Sequence, residues 1–179
     1  MGTATKLSRS LATHDPSAGA HALRVTALAL QLAEAVAAAP DAVEAIRVGG
    51  PLHDVGKLTV RVEVLAKPGP LDAAELAEVR THPVAGANII AGVRGLRTAV
   101  PCVLHHHERW DGGGYPNHLA GHEIPLAARI LAVADAYDAM TMTRPYRVAL
   151  SHDDAVREVE RCAGSQFDPD LAAAFLSLS

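Results

Sequence analysis

Aromatic side chains are almost missing from this chain: one Trp, three Tyr and two Phe, 3% of 179 residues. The core must therefore be aliphatic. Hydrophobic residues still make up 49%, many of them alanine, so an aliphatic, helical core is expected. Cysteine is equally scarce. Cys102 and Cys162 have no metal-ligand spacing and no further partners, which excludes a disulfide framework or thiolate zinc site. They read as plain thiols in a reducing compartment. There is no basic excess either: 16 Lys and Arg against 20 Asp and Glu leave a net charge of -4. That excludes a broad nucleic-acid surface, so no nucleic-acid polymer is expected as a partner. A small anionic substrate can still bind where metals or a local basic cluster supply the field. No apolar run is long enough to span a bilayer. Met1-Gly2-Thr3 opens no signal-peptide core, and Lys6 stands where a myristoylation signal wants Ser or Thr. No membrane association is expected, and the location expected is cytoplasmic.

Histidine, by contrast, is abundant and grouped: ten in all, three of them consecutive at His105-His106-His107. Helix signals frame these groups. Asp15-Pro16 opens a helix to about Ala38, with Val25, Leu28, Leu32 and Val36 on one stripe and His21 on the same side. Asp41 with Glu44, and Asp72 with Glu75, have capping-box spacing. Pro83 should break the chain at His82. Helical stretches follow over 98–107 and 125–140, and further helices start at Ser151 and Asp168. The run Asp111-Gly112-Gly113-Gly114-Tyr115-Pro116 must be loop. Strand-like alternation occurs only briefly, at Leu58 to Leu65. The expectation is a single all-α domain over 15–179, with residues 1–14 as an N-terminal arm.

The residues able to carry chemistry are His21, His53, Asp54, His82, His106, His107 and Asp135, spread over at least five segments. Imidazole and carboxylate together suit first-row metals. Neighbours on a helix point about 100° apart, so His53-Asp54 and His106-His107 should each serve two ions instead of chelating one. Two ions about 3.5–4 Å apart can share a hydroxide and clamp a phosphodiester. Asp135 lies in the apolar run Leu131-Ala132-Val133-Ala134 and so needs a partner or a metal. His21 on an apolar stripe is equally compatible with core packing, and His82 with helix termination. Val55-Gly56-Lys57 follows the His-Asp pair: the glycine turns the chain and the lysine offers a cation to a phosphate oxygen.

The stretch Leu52-His53-Asp54-Val55-Gly56-Lys57 resembles the HD phosphohydrolase motif. The block from His106 through Glu108, Trp110 and Asp111 to Tyr115-Pro116 resembles the extended motif of the HD-GYP subfamily. Arg129 to Met140 and Arg144-Pro145-Tyr146-Arg147 match it in the same order. The resemblance implies an HD-domain bundle of about seven helices with a Gly-rich Gly-Tyr-Pro loop. It implies hydrolysis of cyclic di-GMP to linear pGpG or GMP through a metal-bridging hydroxide. Carried over by position, His53, His82, His106, His107 and Asp135 would be metal ligands and Asp54 would bridge. The ions would be two, iron or manganese. Lys57 would act with Asp54 in catalysis, and Lys57, Tyr115, Arg144 and Arg147 would contact substrate. The Gly-Tyr-Pro loop could also dock a diguanylate cyclase domain. Three-metal members carry a glutamate four residues before the histidine matched by His21; here that position is Ser17. Two ions are therefore expected, with His21 either behind the ligands, orienting them, or as an extra ligand. Thr143 and Gly113 also depart from the usual aspartate and serine. Two other classes stay open: an HD hydrolase for another nucleotide or cyclic dinucleotide, and a non-catalytic module that senses the nucleotide or docks a partner. Only 20 residues precede His21, so no sensor domain is expected ahead of the catalytic part within this chain.

Overall fold

A computed structural model describes residues 2–143 and 148–178. Among the described residues there is no strand, and ten α-helices follow one another. They are α1 (Thr3–His14), α2 (Ala18–Ala35), α3 (Pro40–Gly49), α4 (Val62–Leu65), α5 (Ala73–Val79), α6 (His82–Ala91), α7 (Val100–His105), α8 (Leu126–Thr141), α9 (His152–Arg161) and α10 (Pro169–Leu176). Two 3-10 turns, Gly50–Leu52 and Val55–Thr59, link α3 to α4.

Several helices begin where local chemistry requires. Asp72 accepts hydrogen bonds from Ala74 N and Glu75 N, while the Glu75 carboxylate takes Asp72 N, closing a capping box on α5. Ser151 Oγ caps α9 through Asp154 N, and Asp168 Oδ1 caps α10 through Asp170 N. Pro83 sits in the first turn of α6, where its missing N–H costs nothing. Asp41 does not cap α3. Pro40 takes the first helical position with its φ already set, which moves Asp41 inside the first turn.

Two segments depart from the sequence expectation. The stretch expected as an arm is α1: Leu11 is buried, and His14 Nε2 donates to the Val60 carbonyl at 2.9 Å. The alternation at 58–65 is no strand but a 3-10 turn and α4. It buries Val60 and Val64 and exposes Arg61 and Glu63.

The interior has two apolar clusters. One joins Val25 and Leu32 of α2, Ile46 of α3, Ile130 and Val133 of α8, Val159 of α9 and Phe175 of α10. The smaller one joins Leu52, Val55, Ile90 and Val103. His53 and Asp54 sit between Leu52 and Val55, His106 lies just past Val103, and Asp135 lies just past Val133. The polar residues thus emerge where the clusters meet.

Gly56 sets how close these pieces come. A Cβ there would lie 1.9 Å from the His82 carbonyl oxygen and 2.5 Å from Gly86 N. Its backbone is therefore in direct contact with α6, and the requirement is for space, not for a left-handed turn. Gly56→Ala should cost at least about 3 kcal/mol, the upper end of overpacking penalties, and lower the thermal midpoint by on the order of 10 °C. Gly69→Ala, with nothing within 4 Å, should leave the midpoint in place. Scanning calorimetry of both variants checks this, and an unchanged Gly56→Ala midpoint would refute the close contact.

Candidate metal centre

Three histidines are held by the same local device. His53 Nδ1 donates to the Gly50 carbonyl (2.7 Å), His82 Nδ1 to Val79 (2.7 Å) and His106 Nδ1 to Val103 (2.8 Å). Each reaches back three residues to a carbonyl near the end of a helical segment; Val79 and Val103 lie in a last turn, where carbonyls run short of intrahelical partners, and the Gly50 carbonyl also takes the His53 amide at 3.5 Å. Nδ1 is thereby the protonated nitrogen, and in the neutral ring Nε2 carries a lone pair directed inward.

These lone pairs converge on Asp54. His82 Nε2 is 3.3 Å from Asp54 Oδ1 and His53 Nε2 is 3.5 Å from Asp54 Oδ2. His82 Nε2 also stands 3.3 Å from His106 Nε2. His53 Nε2 is buried with no hydrogen-bond partner among the described residues. Two groups of donors can each gather around a point: Asp54, His82, His106 and His107, and His21, His53 and Asp54, with ligand atoms mutually within 4.8 Å. Asp54 is common to both.

His106 and His107 enter one donor group, where the 100° spacing led to the expectation of two, whereas Asp54 of the His53-Asp54 pair enters both groups. His53-Asp54 lies between two 3-10 turns, and His106-His107 lies beyond the end of α7. Regular α-helical spacing applies to neither pair, and the His106 and His107 rings come within 4.1 Å of each other.

His21, on α2, faces three carboxylates. Its Nε2 is 3.1 Å from Asp135 Oδ1 and 4.0 Å from Asp54 Oδ2, and its Nδ1 is 2.7 Å from Asp138 Oδ2. Arg24 holds Asp138 from the other side through two hydrogen bonds of 2.6 and 3.0 Å. Asp138 lay inside a motif quoted from the sequence but was given no role. Its spacing of three from Asp135 on α8, one helical turn, is the signal that could have found it. Ser17 is exposed, with its hydroxyl on Asp15 Oδ1 (2.7 Å).

Charge follows from these contacts. Burial disfavours an ionised Asp54, but the Lys57 ammonium, with Nζ at 2.6 Å, holds it well below the usual carboxylate range. The same pair keeps the Lys57 ammonium charged against burial. Burial and neighbouring histidines lower His106 strongly, burial also lowers His82, and His107 falls to about 4. Burial opposes charge on His21 as well, but Asp135 and Asp138 outweigh it and raise His21 to about 9.

The Gly-rich loop closes one side. Tyr115 stacks on His107 with ring centroids 5.0 Å apart. Gly114 passes so close to Arg109 N that a Cβ would lie 2.3 Å away. Glu108, which the sequence did not single out, is the buried anchor: its carboxylate accepts Asn117 N (2.7 Å) and Leu119 N (3.2 Å). A cavity of about 260 Å³ opens beside the histidines, lined by Arg80, His106, His107, Tyr115, Asp135 and Gln166 among others. Arg144 and Arg147, expected at the substrate, lie outside the described residues. Of the other expected site residues, His106, His107, Tyr115 and Asp135 line this space, and His53, Asp54, Lys57, His82 and His21 adjoin them through the contacts given above.

The HD domain model matches residues 6–171. A Vibrio cholerae protein named cyclic di-GMP phosphodiesterase is 40% identical over 187 residues, covering 96% of this chain and 38% of its own length. A second from the same organism, named 3'3'-cGAMP-specific phosphodiesterase 2, is 35% identical over 172 residues, covering 95% of this chain and 33% of its own length. The chain thus spans well under half the length of these curated relatives. Among solved structures, Bd1817, an HDG"Y"P protein from Bdellovibrio bacteriovorus, superposes with a TM-score of 0.73 at 18% identity. That match covers 90% of this chain and 52% of the other, a likeness of fold.

Glu108→Ala should leave the Asn117 and Leu119 amides without their acceptor, at about 1–3 kcal/mol. Hydrogen exchange at those two amides should accelerate while α8 stays protected. Unchanged protection would show that the loop does not hang on Glu108.

Proposed function

We infer, from the premise that this chain belongs to the HD domain family, that it hydrolyses cyclic di-GMP with divalent metal ions held by its histidines and aspartates. The observation that carries this is the facing of His82 Nε2 and His106 Nε2 at 3.3 Å. Both Nδ1 atoms are committed to carbonyls, and burial keeps both rings neutral. Two buried lone pairs directed at one another repel, and a cation between them removes the repulsion.

The donor groups fit two ions. Asp54, His82, His106 and His107 would hold one, and His21, His53 and Asp54 the other, with Asp135 beside His21. Asp138 on His21 Nδ1 has the relation of an outer carboxylate that orients a ligating imidazole. Ser17 offers no third-ion ligand. Iron or manganese suits this nitrogen- and oxygen-rich set better than a thiolate metal. Bound there, the ions would supply Lewis acidity and a water acidified towards neutrality. The chain's own part is to orient and to neutralise. Lys57, charged and partly open to solvent, can stabilise the non-bridging oxygens of the scissile phosphate. Tyr115 offers an aromatic ring at the cavity wall, and Arg144 and Arg147 would supply further substrate contacts. The products would be pGpG or GMP.

The relatives' names favour one second reading, a 3'3'-cyclic GMP-AMP substrate, since the same metal set would serve it. The free thiols of Cys102 and Cys162 suit a cytoplasmic setting, and no described helix is long and apolar enough to cross a membrane. A diguanylate cyclase domain docking on the Gly-Tyr-Pro loop would meet Asn117 and His118, which are exposed.

The test is turnover of cyclic di-GMP and 3'3'-cyclic GMP-AMP with manganese or anaerobic ferrous iron, with bound metals counted. Chelation should abolish turnover and readdition restore it. Asp54→Ala should release at least one ion and lower turnover by on the order of 1000-fold or more, since both the acidified water and the charge stabilisation go with the metal. Normal metal content and activity in that variant would refute the assignment.

A further inference from the structure

Arg80 closes α5 on the rim of the cavity, and nothing so far has given it a role. It is exposed, its guanidinium lies 5.3 Å from the centre of the Tyr115 ring, and it lines the same cavity as His106, His107 and Asp135. Among the described residues, the other cations near this space are engaged. Lys57 is bound to Asp54 at 2.6 Å, Arg24 to Asp138, and Arg109 to both oxygens of Asp111 at 3.0 and 2.6 Å. Arg80 has no carboxylate within ion-pair distance among the described residues, so a guanidinium with five N–H donors stands at the cavity rim without an anionic partner.

A cyclic dinucleotide brings two phosphodiesters, of which only one can lie over the Asp54 cluster at a time. The second must leave water on the same wall. A guanidinium braced on an aromatic ring is suited to it, because it binds two phosphate oxygens in parallel and stacking keeps it oriented. We propose that Arg80 is a substrate-binding residue that holds the phosphate that is not being cleaved, and so selects two-phosphate rings over single diesters. This rests on the cyclic-dinucleotide reading of the site. It concerns the wall formed by α5 and Tyr115, apart from the histidine cluster.

Two variants test it. Arg80→Met keeps the aliphatic stem and removes the charge; Arg80→Lys keeps the charge and loses the fork. Each is assayed with manganese on cyclic di-GMP, 3'3'-cyclic GMP-AMP and cyclic di-AMP. Bis(p-nitrophenyl) phosphate, which has one phosphate, is the control, and bound metal is counted. Arg80→Met should raise KM for the cyclic dinucleotide that the wild type cleaves by about 10- to 100-fold, the loss of a charge-assisted hydrogen-bond pair. It should leave kcat, metal content and the single-phosphate reaction unchanged, and Arg80→Lys should recover part of the KM. An unchanged KM in Arg80→Met would overturn the assignment, as would equal losses on both substrate classes, which would mean that Arg80 only holds Tyr115. If the wild type cleaves the model diester but none of the three rings, the cyclic-dinucleotide reading itself fails, and this assignment falls with it.

Discussion

The centre depends on hydrogen bonds that point away from it. His53, His82 and His106 each give their Nδ1 proton to a carbonyl three residues back, which turns three Nε2 lone pairs towards Asp54. An imidazole whose outer nitrogen were free could rotate or exchange tautomers, and the inner lone pair would lose its direction. The carbonyls are available because helical segments end there, so breaks that would weaken a long helix become the fittings of the site. The same breaks explain why the fold uses short helices and 3-10 turns around residues 50–59, while α2 and α8 run long.

Burial makes this arrangement demanding. Apolar residues of two clusters flank the centre, so an unpaired charge or lone pair there would be costly. Asp54 stays ionised through Lys57, and Asp135 and Asp138 stay ionised through His21 and Arg24. The cluster carries its charges in pairs except where the histidine lone pairs meet, and that is where the proposed cation would sit. Gly56 contributes by what it lacks: without a Cβ, the 3-10 turn that carries Lys57 can lie against the α6 backbone beside His82.

The loop shows how a flexible composition becomes a fixed wall. Three consecutive glycines free the chain, yet Glu108 gathers the amides of Asn117 and Leu119, and Tyr115 lies on His107. The wall holds its place through one buried carboxylate and one ring stack, between the histidine cluster and the α5 rim.

Much of this was legible in residue order. The capping box at Asp72 and Glu75, the break at Pro83 and the apolar stripe of α2 are local, since they depend on contacts within a few residues. The residue types able to hold a metal can be read from the sequence directly, and the family resemblance put them in order. Other features stayed out of reach. Sequence spacing could not show that His106 and His107 enter one donor group, because their directions depend on where α7 stops. Nor could it show that Glu108 anchors the loop, or that His21 lies between Asp135 and Asp138, 117 positions from the latter. The sequence by itself determined an all-helical chain with metal-type side chains spread over at least five segments. Only the tertiary structure decided which Nε2 atoms meet, that His21 lies among three carboxylates, and that Arg80 lines the cavity. The physical reason is that lone pairs and charges act over a few ångströms in space, and folding alone brings six separate segments within that range.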